Sequence, residues 1–169
     1  ITYKKALEAL KKNKINIKSE IILSKNSVNR ICSHDVKSPN NYPAADNTAF
    51  DGFAINSKDT NKINQNNSKK FKILKTLAVG DNPKIKTVPK LSTVEVMTGA
   101  IIQKPFDTVI PIEQIKYYSN KANQKYIAID KKITKNNYIR FKGSDYKKGD
   151  IVINKGQLIT ASHILAFKT

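Results

Sequence analysis

A chain of 169 residues and 19.0 kDa has room for one domain or two small ones and is long enough to bury a core. Six Gly, six Pro, one Cys and no apolar run near the ~18 residues a spanning helix needs exclude collagen-like, disulfide-framework and helical membrane classes. The charge is the eccentric quantity: 31 Lys+Arg against 13 Asp+Glu give +18, which invites a polyanionic partner.

The first element is an amphipathic helix. Thr2 sits where an N-cap belongs, Tyr3, Ala6, Leu7 and Leu10 follow helical spacing, and Asn13 is a stop. The segment is basic but has no apolar signal core or cleavage site, which makes a reducing cytoplasmic setting the default. Ile15 and Ile17 then alternate with polar residues, and a second helical turn is expected over Ser27 to Ile31. Pro39 and Pro43 keep residues 38–47 extended. Phe50 to Ile55 is a short apolar stretch, and the polar run 57–70 reads as a mobile loop. Strands are expected at 71–78, 93–97, 108–112, 114–118, 125–130, 138–141 and 151–154, which argues for a barrel or a bent sheet. Thr160 caps a last helix that reaches Thr169 without a closing Gly or Pro. With Ile as the first residue, this is expected of a chain cut from a longer protein.

Composition undercuts the polyanion reading. Of the basic residues, 29 are Lys and only Arg30 and Arg140 are Arg, and Lys, Asn and Ile together make 70 of 169 residues. All three have A/T-rich codons, so nucleotide bias accounts for the lysines better than phosphate recognition, which favours the planar fork of Arg. A non-enzymatic basic β-domain that binds nucleic acid is the alternative. It requires lysines on one face with exposed aromatics, for which Tyr117, Tyr118 and Tyr126 are candidates, and a steep salt dependence.

Catalytic motifs of common type are absent from the sequence: it has no Walker A loop, no G-x-G-x-x-G turn and no G-x-S-x-G elbow. Cys32, His34 and His163 fall short of a zinc set and read as a buried thiol and two incidental histidines. The informative stretch is PAADNTAFDGFAI, residues 43–55, with Asp46 and Asp51 around an amide and a hydroxyl and Gly52 directly after. It supports two readings: a tight turn with Asp46 and Asn47 in Asx-turns, or a carboxylate presented to Mg²⁺. A second stretch, VEVMTGAII, ends a β-run in Thr98, Gly99 and Ala100, and reads first as a plain turn at a strand end, with amides open to an oxyanion as the other reading. A third, RFKGSDYKKGDIVINKG, reads as hairpin punctuation, with Asp145 and Asp150 beside its glycines.

In order and spacing these segments resemble the molybdopterin molybdotransferases, the MoeA family that includes the gephyrin E domain. DNTAFDGFAI is similar to that family's D-N-S-A-M-D-G-Y-A-V, VEVMTGA to R-I-M-T-G-A, and FDTVIPIEQI to A-D-A-V-V-x-x-E. IRFKGSDYKKGDIVINKGQLI is similar to V-R-x-x-G-E-D-x-x-x-G-D-x-L-x-x-G-x-x-L. The departures are Thr48 for Ser, Phe50 for Met, Phe53 for Tyr, Ser144 for Glu, and Pro105-Phe106 for Gly-Ala.

The resemblance implies a mixed α/β, mainly β fold. An elongated helix/strand first domain, residues 1–36 plus 137–169, carries an inserted β-rich, barrel-like second domain, 37–136, and the cofactor-binding domain lies beyond this chain. It further implies an enzyme that inserts molybdenum from molybdate into adenylylated molybdopterin with Mg²⁺ and AMP release. Asp51 and Thr98 take the catalytic positions, with Asp51 as the Mg²⁺ ligand. Gly99 and Ala100 are expected to bind cofactor, while Asp46, Asn47 and Gly52 support the turn. A homodimer is implied, with molybdopterin adenylyltransferase and downstream cofactor enzymes as possible partners, no membrane and no nucleic acid. The fragment alone is expected to be inactive, because the opposite wall of the cleft is missing.

Overall fold

The computed structural model describes the chain except Lys14, Asn16, Lys116, Ala122, Asn123 and Thr169, and except the side chains of residues 117–121 and 124. Tyr117 and Tyr118, named above as candidate aromatics, therefore lie outside the described side chains. In chain order the elements are α1 (Tyr3–Lys12), β1 (Val36–Lys37), β2 (Asn47–Thr48), β3 (Gly52–Ile55), β4 (Lys69–Leu77), β5 (Ser92–Val96), β6 (Thr108–Pro111), β7 (Tyr117–Lys121), β8 (Gln124–Ile129), β9 (Ile139–Arg140), β10 (Ile151–Ile153) and α2 (Ala161–Ala166). The fold is mainly β with few helices, as expected.

The chain divides into two compact units. Unit 1 comprises Ile1–Lys37 and Ile151–Thr169, and unit 2 comprises Ser38–Asp150. Residues 137–150, placed by the resemblance in the first domain, group here with the second. The physical ties are local: β9 pairs with β2, and Tyr42 stacks on Tyr146 with ring centroids 5.5 Å apart.

In unit 1 the α1 ends are those the sequence predicts. Thr2 Oγ1 accepts from Lys5 N, and Asn13 Nδ2 donates to Ala9 O. No residue of α1 is buried, so Tyr3 and Leu10 remain exposed. The turn expected over Ser27–Ile31 forms earlier, as a 3-10 turn at Ser24–Asn26. Asn29 then takes φ 66°, which ends the right-handed course, and Ile31 bridges Leu158 instead. β1 pairs antiparallel with β10 over a small core of Cys32, Ile153 and Ile159. The Cys32 thiol donates to His34 O, and His163 Nδ1 accepts from Thr160 N to close a capping box on α2, so each has a local structural partner.

Unit 2 is built on one curled six-stranded sheet in the order β6-β3-β5-β4-β8-β7, antiparallel except for the β4–β5 pair. Both faces are covered. Phe53, Ile55, Phe71 and Ile127 pack in one cluster, while Ala54, Val94, Val96 and Val109 pack in another. Burial on two faces is why GFAI reads as a continuous apolar run rather than an alternating one.

Two expectations are corrected here. Residues 57–70 are not simply a mobile loop. Ser57–Thr60 form a 3-10 turn, Thr60 is buried with its hydroxyl donating to Ser57 O and accepting from Ile133 N, and Ile63 joins the core. Polar composition misled because these hydroxyls serve internal hydrogen bonds. The strand expected at 114–118 is instead a 3-10 turn at Ile112–Gln114, with β7 beginning at Tyr117. Among the described residues, no helix is long and apolar enough to cross a membrane.

Candidate functional site: a carboxylate braced by a threonine

Asp51 precedes β3 and Thr98 follows β5, and the antiparallel register Gly52↔Val96 brings the two together. Thr98 N donates to Asp51 Oδ1 at 2.6 Å and Thr98 Oγ1 donates to the same oxygen at 2.8 Å. Both residues are exposed. Two donors on one oxygen hold the Asp51 carboxyl below the ordinary carboxylate value, the backbone bond contributing most and the hydroxyl next. Its other oxygen, Oδ2, takes no protein donor among the described residues.

The remaining donors of the Thr98 turn are spoken for. Gly99 N donates to Thr48 O at 2.9 Å and Ala100 N to Met97 O at 2.9 Å. Of the two readings of this stretch the plain turn agrees with these bonds, and the amides are not open to an oxyanion. These bonds instead lace the two motifs together, with Thr48 N donating in turn to Ala100 O and Asn47 bridging Ile101. What the turn presents to solvent is acceptors: a carboxylate oxygen and the lone pairs of a hydroxyl whose proton is already given. That donor set suits a hydrated cation and not a bare oxyanion. Gly99 has φ 84°, a left-handed conformation that carries the chain from β5 back across β2.

Gly52 has a different reason from the one a turn would give. It is buried, it lies in β3, and a Cβ built there would come 2.1 Å from Ile110 O. Close approach of β3 to β6, not positive φ, demands glycine. Asp46 and Asn47 do not brace Asp51 directly. Asp46 Oδ1 accepts from Lys142 N at 2.8 Å, fastening the 140–143 turn, and Asn47 Nδ2 reaches Ala45 O at 3.5 Å. Thr48 caps the turn before Asp51, its Oγ1 accepting from Phe50 N and donating to Phe50 O. Asp107, from the third quoted motif, accepts from Ser57 N and Ser57 Oγ, and so serves as a staple between turns.

In the 140–150 segment Arg140 pairs with Asp145 through Nε and Nη2, and its guanidinium lies 5.4 Å from the Tyr42 ring centroid. Ser144 donates to Asp145 Oδ1 at 3.3 Å, so the hydroxyl standing where a glutamate was expected is tied to the same pair.

The family model for the MoeA N-terminal region (domain I and II) matches residues 1–169, the whole chain. The chain belongs to the MoeA family. Its MoeA relatives include a molybdopterin molybdenumtransferase of Staphylococcus aureus strain Mu50, 29% identical over 169 residues, covering 100% of this chain and 39% of that protein. The corresponding Haemophilus influenzae protein is 33% identical over 142 residues, covering 84% and 33%. Among solved structures, the Pyrococcus horikoshii OT3 molybdopterin biosynthesis MoeA protein superposes with a TM-score of 0.88 at 25% identity, over 99% of this chain and 43% of that one. The chain thus spans about two fifths of the length of the MoeA proteins it matches.

The sequence missed one feature beside Asp51. Phe50 and Tyr138 meet edge to face beside Asp51, their ring centroids 5.1 Å apart. Tyr138 stands directly before β9 and the IRFKGSD motif, at the start of the strand expected over 138–141, but nothing in that stretch tied it to Phe50.

A titration tests the bracing. Thr98→Val keeps the backbone donor and removes the hydroxyl, so the Asp51 carboxyl midpoint, followed by ¹³C NMR, should rise but stay below the ordinary value. Because the folded value is lowered, the linked stability is complete above the unfolded value and is lost as pH falls through the folded one. In Thr98→Val that loss should be complete at a higher pH. An unmoved midpoint would refute the hydroxyl's part.

Proposed function

We propose that this chain forms the N-terminal wall of a molybdotransferase that inserts molybdenum from molybdate into adenylylated molybdopterin, releasing AMP, in the cytoplasm. The observation that carries the reading is the Asp51–Thr98 pair at the joined mouth of two family motifs. Asp51 and Thr98 are the catalytic groups in this reading, and Gly99 and Ala100 shape the turn against which substrate packs.

The residues present fit Mg²⁺ of a particular kind. Among the described residues no group of three or more His, Cys, Asp or Glu gathers, so a closed protein cage is not built. One free carboxylate oxygen and a hydroxyl lone pair suit an ion that keeps several waters and shares phosphate oxygens with its substrate. Asp51 Oδ2 would hold such an ion, and when bound it supplies neutralising charge to the phosphates. Thr98 does the rest: its two bonds to Oδ1 fix the carboxylate rotamer, so Oδ2 is aimed without further loss of freedom on binding.

A homodimer is part of the proposal, supported by the apolar side chains that unit 1 leaves uncovered, among them Leu10, Ile17 and Ile21 at 71%, 83% and 102% exposure. Molybdopterin adenylyltransferase and downstream cofactor enzymes are the partner classes it implies. The test combines two measurements on the 169-residue chain. Sedimentation equilibrium should give a dimer, and incubation with adenylylated molybdopterin and molybdate should release no AMP. Turnover by this chain alone would overturn the half-site reading.

A further inference from the structure

At the end of β3 away from Asp51, unit 2 carries a furrow that the proposed chemistry does not use. It consists of two hollows of about 420 and 360 Å³. Asn56, Lys58, Pro105 and Phe106 line both, so the hollows adjoin along a common wall. That wall lies after Ile55 and before Thr108, which the β3–β6 register sets side by side, and neither Asp51 nor Thr98 lines it. Phe106 is 5% exposed and packs in the core with Val109, which makes the wall rigid. Pro105-Phe106 stands where the family motif has Gly-Ala, so the wall belongs to this chain's own sequence.

The charge that the furrow presents to solvent is positive. Lys58, Lys90, Lys104 and Lys135 line it and are exposed, and among the described residues none of the four is in an ion pair. The carboxylates that line it are half-buried and engaged with the protein's own donors. Both oxygens of Asp107 accept from Ser57, Asp59 Oδ2 accepts from Leu91 N, and Asp46 Oδ1 accepts from Lys142 N. Between the lysines the lining is apolar, with Ile102, Ile139 and Phe141, the last 42% exposed. Asn56 gives its Oδ1 to Lys58 N, which leaves its amide NH2 to donate outward.

We propose that this furrow docks an extended acidic peptide segment of a partner protein, its carboxylates received by the four lysines and an aliphatic side chain seated against Ile102 and Phe141. A concave basic surface with an apolar floor admits one extended chain, and complementary charge selects an acidic one. Single-stranded nucleic acid is the other polyanion of that shape, and it is held by rings on which successive bases stack. Among the residues described along the furrow, Phe141 is the one exposed ring, since Phe106 is buried, and this favours the peptide.

The experiment uses the 169-residue chain and a fluorescein-labelled peptide of alternating Asp and Glu with one central Leu, followed by anisotropy at physiological ionic strength. Amide-shift NMR should place the peptide at Asn56, Lys58, Lys104 and Asn136. Lys58→Gln, Lys104→Gln and Lys135→Gln together should weaken binding about tenfold. The same charge removed by Lys69→Gln, Lys72→Gln and Lys125→Gln, on β4 and β8 outside both hollows, should weaken it about twofold or less. All six lysines are exposed, so the substitutions leave folding intact. Phe141→Ser should weaken the Leu peptide about threefold and leave a counterpart with Ser in place of Leu unchanged. The proposal is overturned if the peptide does not bind, if its Asn/Gln counterpart binds as well, or if both triple variants lose binding alike, which would make the attraction one of net charge. Oligo-dT binding more tightly than the peptide through the same lysines would overturn it in favour of nucleic acid. None of these readouts depends on molybdenum insertion, so the furrow stands or falls apart from the reading above.

Discussion

Asp51→Asn, made in a chain of the relatives' full length, is expected to lower kcat for molybdenum insertion by about a hundredfold, the scale of losing a metal-orienting group. The melting temperature should hardly move. The separation follows from the bonding: asparagine keeps a carbonyl oxygen that can accept from Thr98 N and Thr98 Oγ1, so the brace between the two motifs survives. What asparagine removes is the outward oxygen itself: with its carbonyl turned to Thr98, the outward group is an amide NH2, which offers no lone pair to a divalent cation. Raising Mg²⁺ should recover part of the activity if the lesion is in metal affinity. The competing view is that Asp51 only closes a turn, as Asp46, Asp107 and Asp150 do when they accept from backbone amides. It predicts retained turnover in Asp51→Asn, and that result would remove Asp51 from the chemistry.

The second large effect is on stability. Gly52→Ala should destabilise unit 2 by about 3 kcal/mol, at the upper end for overpacking, because the new methyl meets backbone on a rigid edge pair. A Cβ there would lie 2.1 Å from Ile110 O and 2.9 Å from both Ile110 C and Pro111 Cα. None of these atoms can swing aside as a side chain would. β3 has to part from β6, breaking the Gly52↔Pro111 and Phe53↔Ile110 register that positions Asp51. Gly80→Ala is the control: φ is 87° but nothing lies within 4 Å of its Cβ, so only left-handed strain of about 1–2 kcal/mol is expected. Urea titrations should show the Gly52 variant with the far lower midpoint. Equal midpoints would mean that β6 yields easily, and the close-approach argument would fail.

Much of the secondary structure was legible because its sequence signals are local. β4, β5, β6, β8 and β10 fall where apolar runs between breakers place them, and Thr2 and Thr160 mark helix starts that side-chain oxygens cap. The polar run at 57–70 was misread because a hydroxyl's partner cannot be seen along the chain: the bond from Ile133 N to Thr60 Oγ1 spans 73 residues. The site divides in the same way. Asp51 and Thr98 were each legible within a motif, but not that both Thr98 donors would fall on one carboxylate oxygen.

The charge that first drew attention decided little. By itself the sequence determined the family and the mainly β fold, and it singled out the acid and hydroxyl that the proposed function uses. These depend on residue type and order over short windows, where periodicity and turn chemistry act. Tertiary structure decided which donors are free, why Gly52 must be glycine, and that Phe50 meets Tyr138. Each depends on distances between strands that are remote in sequence, and the β3 pairings to β5 and β6 set those distances.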